Sequence, residues 1–123
     1  MCGISGYIGK SPLKKQQIID TISVMKNRGP DFQDHISFSN GDFFVTLIHS
    51  RLSIIDLDSR SNQPFFDEHC ILVFNGEIYN YIEIRKELEG LGATFKTNSD
   101  TEVLIKSYLH FGEKCVNKFE GMW

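Results

Sequence analysis

The residue best suited to catalysis in this chain is Cys2, which directly follows Met1. Removal of Met1, which the small side chain of Cys2 favours, would leave a thiol and a free α-amine on one residue. A thiol near neutral pH needs a nearby base or a lowered pKa to attack a substrate, and an α-amine can be that base. The pattern therefore predicts a cysteine nucleophile. A small apolar residue at the start of a buried strand is the alternative interpretation.

A second candidate is Asn75-Gly76, which directly follows an apolar run ending at Phe74. The Asn75 side-chain amide and the Gly76 main-chain N–H would be two donors at the end of a rigid strand. Donors fixed in this way stabilise a developing oxyanion, each by about 3 kcal/mol. A simple Asn-Gly turn is the alternative interpretation of the same two residues.

Two charged residues have types suited to binding opposite ends of a small zwitterion. Arg51 offers a planar fork for a carboxylate, and Asp100 can bind an ammonium group. Both also have structural interpretations. Arg51 can be a surface residue or can pair with Asp56 or Asp58, and Asp100 stabilises the start of a helix through the helix dipole.

The elements that must position these residues follow from hydrophobic periodicity and turn signals. Ser11 is predicted to cap the first helix, Asn40-Gly41 to form a two-residue hairpin loop, and Ser99 to Glu102 to form a capping box. The apolar run from Phe43 to Ile48 predicts a strand covered on both faces, and the long segment 50–69 predicts a functional loop. Strands are predicted over 2–8, 35–39, 42–49, 70–74 and 94–96, and helices over 12–25, 79–88, 100–111 and 113–119.

Composition excludes several functional classes. The 123 residues suffice for one domain with one core, and a net charge of −3 without a basic cluster argues against nucleic-acid binding. No apolar run is long enough to span a bilayer, and no secretory signal is present. An odd set of three cysteines predicts a reducing, cytoplasmic environment. The four histidines lack metal-ligand spacing and no phosphate-binding loop is present, so neither a metal nor a cofactor is expected in residues 1–123.

Six segments, taken in order along the chain, resemble the class II glutamine amidotransferases, which are N-terminal-nucleophile glutaminases. Within that family the resemblance is strongest to the glutaminase domain of glutamine-hydrolysing asparagine synthetases. Each segment is common by itself, but six in the family's order make coincidence implausible. The segments are Met1-Cys2-Gly3-Ile4, Arg28-Gly29-Pro30-Asp31, His49 to Asp56, Gln63-Pro64, Phe74 to Asn80 and Ser99 to Val103.

The resemblance implies an α+β fold, the four-layer αββα sandwich of N-terminal-nucleophile hydrolases, in a C-terminally truncated form. Residues 1–123 would be a partial glutaminase domain that continues past Trp123. An ATP- and Mg-using synthetase domain would follow and is absent here. The predicted doubly covered strand agrees with such layering. Unpaired strand edges in a partial sandwich are expected to promote self-association into a homo-oligomer.

The resemblance also implies residue roles. Cys2 would attack the glutamine carboxamide to form a γ-glutamyl thioester, with Asn75 and Gly76 as the oxyanion hole. Arg51 would bind the substrate α-carboxylate, and Glu77 and Asp100 the α-ammonium. The remaining implied pocket residues are Leu52, Ser53, Ile54 and Ile55.

The released ammonia would amidate aspartate or a related carboxylate, whereas a surface-polysaccharide sugar is an alternative acceptor. An inactive glutamine-binding module or an assembly fragment is the alternative function.

Overall fold

A three-stranded antiparallel sheet dominates the N-terminal half of the chain. The computed structural model describes residues 2–123, so Met1 and its predicted removal lie outside the described residues. The sheet has the order β1-β3-β2, with α1 (Lys15–Met25) packed against it. Its strands are β1 (Gly3–Gly9), β2 (Phe32–Asn40) and β3 (Phe43–Arg51).

The predicted hairpin between β2 and β3 is confirmed, with a shift of one residue. Asn40 pairs with Phe43, so the two-residue loop is Gly41-Asp42 instead of Asn40-Gly41. Gly41 adopts a φ of +59°, which is a left-handed conformation that glycine adopts without strain. The turn signal thus located the hairpin correctly because the required conformation is a local property of the sequence.

The sheet has one covered and one open face in the described residues. Gly3 lies against Met25 of α1, and the β3 residues on that face, Thr46, Ile48 and Ser50, are at most 2% exposed. Within residues 2–123 the first half of β3 is covered on one face only, so the predicted cover on both faces is not found in the described part of the chain. The open face carries apolar residues that are half-buried or exposed, namely Ile4, Ile8, Ile36, Phe38, Phe43, Val45 and Leu47.

The C-terminal half packs two helices, α2 (Tyr81–Gly90) and α3 (Asp100–Phe111), around a small core. Two short strand pairs adjoin them: β4 (Phe65–Phe66) with β5 (Ile71–Leu72), and β6 (Glu77–Ile78) with β7 (Gly121–Met122). Short 3₁₀ helices cover Ser59–Ser61 and Gly112–Lys118. The core residues are Ile78, Ile84, Leu88 and Val103, none more than 4% exposed.

Two predicted elements differ from the structure for identifiable reasons. The predicted strand over 94–96 is wrong, because the Glu102 carboxylate accepts the main-chain N–H groups of Lys96 and Thr97 and folds this segment onto the start of α3. The predicted cap at Ser11 is also wrong. The Ser11 carbonyl accepts the Tyr7 hydroxyl, and α1 begins only after Lys14, whose N–H is accepted by the Gln17 side chain.

The predicted capping box is half confirmed. Ser99 caps α3 by accepting the Glu102 N–H at 3.2 Å. The reciprocal bond is not formed, because the Glu102 carboxylate is used by the preceding segment. The predicted strand 70–74 is shortened to Ile71–Leu72. Within residues 2–123, no helix has the length and apolar character needed to cross a membrane.

Candidate active site

One pocket gathers nearly all the residues that the sequence singled out. It lies where the start of β1, the end of β3, the loop after β3 and the start of α3 meet. The pocket is open to solvent on one side. The predicted residues that line it are Cys2, Arg51, Leu52, Ile54, Ile55, Asn75, Gly76, Glu77 and Asp100.

Cys2 is fixed in the pocket by contacts at both its side chain and its main chain. The Leu52 N–H donates to Cys2 Sγ at 3.3 Å, and Sγ lies 3.6 Å from the Leu52 carbonyl. Arg28 Nε donates to the Cys2 carbonyl at 3.1 Å. The thiol is therefore held in a defined position beside the loop that begins at Leu52.

The Arg28-Gly29-Pro30-Asp31 segment explains why this loop has its position. The Asp31 N–H donates to the Arg51 carbonyl at 3.0 Å, and the Asp31 carboxylate accepts the Ser53 N–H at 2.7 Å. Gly29 lies so close to β3 that a Cβ there would be 2.1 Å from the Ser50 carbonyl oxygen. Ser53 is the one predicted pocket residue that does not line the pocket, because its N–H is directed to Asp31.

Arg51 lines the pocket but uses most of its guanidinium for structure. Its Nη1 donates to the Asp58 carbonyl at 3.2 Å and to Asn62 Oδ1 at 2.6 Å. Its Nη2 donates to the Ile55 carbonyl at 3.4 Å and to the Asp56 carbonyl. Of the five N–H donors of an arginine, only Nε–H lacks an acceptor among the described residues. The guanidinium was expected to offer two parallel donors to a ligand carboxylate, but only its Nε–H is available for one.

Asn75 and Gly76 lie in the irregular segment between β5 and β6, and not directly after a strand as predicted, because β5 already ends at Leu72. Asn75 Oδ1 is buried without a hydrogen-bond partner in residues 2–123, and its amide nitrogen makes no hydrogen bond there either, so it can donate to a ligand. A Cβ on Gly76 would lie 2.7 Å from the Met122 carbonyl, so glycine permits β7 to pack here.

Hydrogen bonds to the main chain of Phe74 fix the segment that carries Asn75 and Gly76. Gln63 Oε1 accepts the Phe74 N–H at 2.6 Å, and His49 Nε2 lies 3.2 Å from the Phe74 carbonyl. Burial lowers the pKa of His49 to about 4, so the ring is neutral at pH 7 and its Nε2–H donates.

Asp100 and Glu77 form an acidic end of the pocket. Asp100 is 6% exposed, and its Oδ2 accepts the Ile78 N–H at 3.1 Å. Burial raises the pKa of Asp100; hydrogen bonds from Ile78 and Thr101 oppose the rise, and the Glu77 charge adds to it. Neither carboxylate forms an ion pair with a Lys or Arg of residues 2–123. This end of the pocket is therefore electrostatically suited to an ammonium group.

The comparison with protein families decides the assignment of the chain. The glutamine amidotransferase domain model matches residues 1–123. The chain belongs to this family. It is 42% identical over 130 residues to glutamine-hydrolysing asparagine synthetase 1 of Bacillus subtilis strain 168, covering all of this chain and 20% of that protein. It is 38% identical over 130 residues to a glutamine-hydrolysing asparagine synthetase of Sandersonia aurantiaca, covering all of this chain and 23% of the relative. The chain thus spans about a fifth of the length of these curated relatives.

The pocket of this glutamine amidotransferase domain also contains residues that sequence reasoning assigned no role. Gln63 is part of Gln63-Pro64, one of the six segments that carry the family resemblance. Its hydrogen bonds to Phe74 and Thr101 are evident only from the folded structure. Met122 reaches the pocket because β7 pairs with β6, and no sequence signal indicated that pairing. The lining residues for which no role in the pocket was predicted are Ser61, Gln63, Phe74, Ser99, Thr101 and Met122.

Proposed function

We propose that this domain hydrolyses glutamine and that Cys2 is its nucleophile once Met1 has been removed. The observation that carries the proposal is the common pocket: Cys2 Sγ shares it with the Asn75-Gly76 donors and with groups suited to both charged ends of an amino acid. A thiol alone would be weak support. A thiol beside matched oxyanion and zwitterion sites supports amide hydrolysis of a free amino acid.

The proposed reaction begins when Cys2 Sγ attacks the side-chain amide carbon of glutamine and its proton passes to the Cys2 α-amine. The new oxyanion is stabilised by the Asn75 amide and the Gly76 N–H. Collapse of this intermediate breaks the C–N bond, the leaving nitrogen takes the proton from the α-amine, and ammonia departs. Water then hydrolyses the γ-glutamyl thioester, which releases glutamate and restores the thiol.

Substrate recognition is proposed to use the charged ends of the pocket. The α-carboxylate accepts Arg51 Nε–H, and the α-ammonium lies between Glu77 and Asp100. The main chain of the loop from Leu52 to Ile55 lines the space between them. A glutamine within a peptide lacks both charged groups and would leave buried charges without partners, so a free amino acid is the proposed substrate.

The ammonia is proposed to amidate aspartate, in an ATP- and Mg-dependent synthetase domain outside residues 1–123. The relatives named glutamine-hydrolysing asparagine synthetases support this acceptor. Their length, about five times that of this chain, supports the further domain. A surface-polysaccharide sugar as acceptor has no support of this kind.

The proposed complete fold is a four-layer αββα sandwich in which further strands, after residue 123, cover the open sheet face. Two observations support it. The open face is apolar, with Ile8 72% exposed and Ile4 and Phe43 each 47% exposed. An apolar groove also runs from Ile4 to Trp123 beside α3. The test compares residues 1–123 with the complete protein: the short chain should self-associate and bind a hydrophobic dye, and a dye-free monomeric short chain would contradict the proposal.

The decisive test of the hydrolysis is ammonia and glutamate release by the complete protein. Intact mass first establishes whether Met1 is absent. Cys2→Ala should abolish release while glutamine still binds, and Cys70→Ala, at another half-buried free cysteine, should leave the rate unchanged. Rapid acid quench should yield a γ-glutamyl adduct on the wild-type protein alone. Undiminished hydrolysis by Cys2→Ala would refute the mechanism.

A further inference from the structure

Asp56 lies outside the pocket lining but connects the two loops that carry its charged residues. Its φ of +53° is a left-handed conformation that only a few residue types adopt readily. Such strained conformations persist where surrounding contacts require them, and they are concentrated at functional sites. The contacts that fix Asp56 extend to both ends of the pocket.

On the carboxylate-binding side, Asp56 organises the loop that surrounds Arg51. Its carbonyl accepts Arg51 Nη2. Its Oδ1 accepts the Asp58 N–H at 3.1 Å, and its Oδ2 accepts the Ser61 hydroxyl at 2.8 Å. Together these bonds close the loop that supplies the carbonyls holding the guanidinium. Asp56 therefore helps to hold in place the loop that fixes the guanidinium of Arg51.

On the ammonium-binding side, the same carboxylate reaches the start of α3. The Asn98 N–H donates to Asp56 Oδ2 at 2.6 Å, across 42 residues of sequence. Asn98 precedes Ser99, which caps α3, and Asp100 is the first residue of that helix. Because only the capping residue Ser99 separates them, a displacement of Asn98 is transmitted to Asp100.

The environment of Asp56 keeps its carboxylate charged. Burial opposes its ionisation, but hydrogen bonds from Asn98, Ser61 and Asp58 outweigh burial and hold the pKa of Asp56 below its usual value. A second link between these parts of the chain joins the neutral side chains of Gln63 and Thr101 at 3.3 Å. The Asp56 bonds are shorter and charge-assisted, so they are the stronger of the two links.

We propose that Asp56 is a positioning residue that sets the distance between the α-carboxylate and α-ammonium sites. This inference rests on the proposed function for the identity of the ligand. A ligand with both charged groups requires the two sites to be correctly spaced, whereas a ligand with one charged group does not. Loss of the Asp56 link should therefore lower the affinity for ligands that carry both charged groups more than the affinity for ligands that carry one.

The test uses the complete protein carrying Cys2→Ala, so that ligands bind without turnover. Competition calorimetry measures affinity for L-glutamine, for glutaramate, which lacks the α-ammonium, and for 4-aminobutanamide, which lacks the α-carboxylate. Asp56→Asn puts an NH₂ against N–H or O–H donors and breaks at least one charge-assisted bond. Glutamine affinity should fall by about tenfold or more, and affinity for each analogue by less than about threefold.

The matched control is Asp20→Asn, since the exposed Asp20 carboxylate on α1 accepts only from the Gln16 side chain in residues 2–123 and should leave all three affinities unchanged. Equal loss of all three ligands in Asp56→Asn would indicate general damage and overturn the inference, as would unchanged glutamine affinity. If Cys2→Ala binds glutamine but the wild-type protein releases no ammonia, hydrolysis fails while the positioning role is still tested. If Cys2→Ala does not bind glutamine, both proposals fail.

Discussion

Replacing Gly29 with alanine is expected to loosen β3 and to impair glutamine hydrolysis together. A Cβ at this position would lie 2.1 Å from the Ser50 oxygen, 2.2 Å from the Ser50 carbon and 2.5 Å from the Arg51 nitrogen. Ordinary contact of a Cβ begins near 3.4 Å, so one backbone must retreat by about 1.3 Å. All three contacts are main-chain atoms, which no side-chain rotation can relieve.

The magnitude follows from what resists this movement. β3 is the central strand and is paired with β1 and β2, so the 27–31 turn must move instead. Overpacking costs about 1–3 kcal/mol where neighbours can adjust, and more where they cannot. Alanine offsets about 0.4–1 kcal/mol by restricting the unfolded chain. A net loss of about 3 kcal/mol is expected, together with displacement of Arg28 and Asp31, which hold Cys2 and Ser53.

Hydrogen exchange of the β3 amides in the complete protein measures this loss locally. A loss of about 3 kcal/mol corresponds to roughly hundredfold faster exchange in Gly29→Ala. Its kcat/KM for glutamine should fall by at least about tenfold. Gly90→Ala is the matched control: it lies at the end of α2 with nothing within 4 Å of its Cβ, so it should be neutral or stabilising. Exchange and hydrolysis in Gly29→Ala that match Gly90→Ala would refute the packing argument.

Three further predictions concern buried titratable groups. Glu102→Gln should lower the protection of the α3 amides against hydrogen exchange by about 2–3 kcal/mol, because a buried carboxylate loses a charge-assisted bond to Lys96 or Thr97. Exchange rates that are equal in the variant and the wild-type protein would contradict this. Since His49 has a folded pKa of about 4 against 6.5 unfolded, domain stability should be full above pH 6.5 and fall toward pH 4, by up to about 3 kcal/mol. His49→Gln should abolish that slope in denaturant titrations. Because burial raises the pKa of Asp100, KM for glutamine should rise on acidification at a higher pH than for an ordinary carboxyl, and a flat KM profile would exclude Asp100 as the ammonium partner.

Local signals predicted local structure well. The hairpin loop near Gly41 and the Ser99 cap of α3 depend on residues close in sequence, and both are confirmed. The pocket residues were also predictable in kind, because a nucleophile, an amide donor and charged groups each lie at or beside one end of a predicted strand or helix. Their convergence rested on the family resemblance, since no spacing rule brings Cys2 to Leu52 across 50 residues.

The differences arise where a long-range contact replaced a local one. Arg51 was expected to present a free fork, but three main-chain carbonyls of an irregular loop and the Asn62 side-chain oxygen occupy four of its donors. Glu102 was expected to complete a capping box, but Lys96 and Thr97 supply its donors. In each case the competing partner lies in a segment without periodicity, so no sequence pattern identified it.

The need to pair buried main-chain N–H groups explains why three carboxylates outside the pocket lining, those of Asp31, Asp56 and Glu102, surround this site. Pocket loops have main-chain N–H groups that no helix or sheet pairs, and such groups are costly to bury unpaired. Each of these carboxylates accepts a main-chain N–H from a segment that carries or precedes a pocket residue. Asp31 accepts from Ser53, Asp56 from Asn98 and Glu102 from Thr97. A carboxylate accepts several donors at once and binds each more strongly than a neutral acceptor does. Each therefore replaces the missing secondary structure at one corner of the pocket. Neutral substitutions of these three residues should consequently affect substrate binding through loop geometry, although none of them touches the substrate.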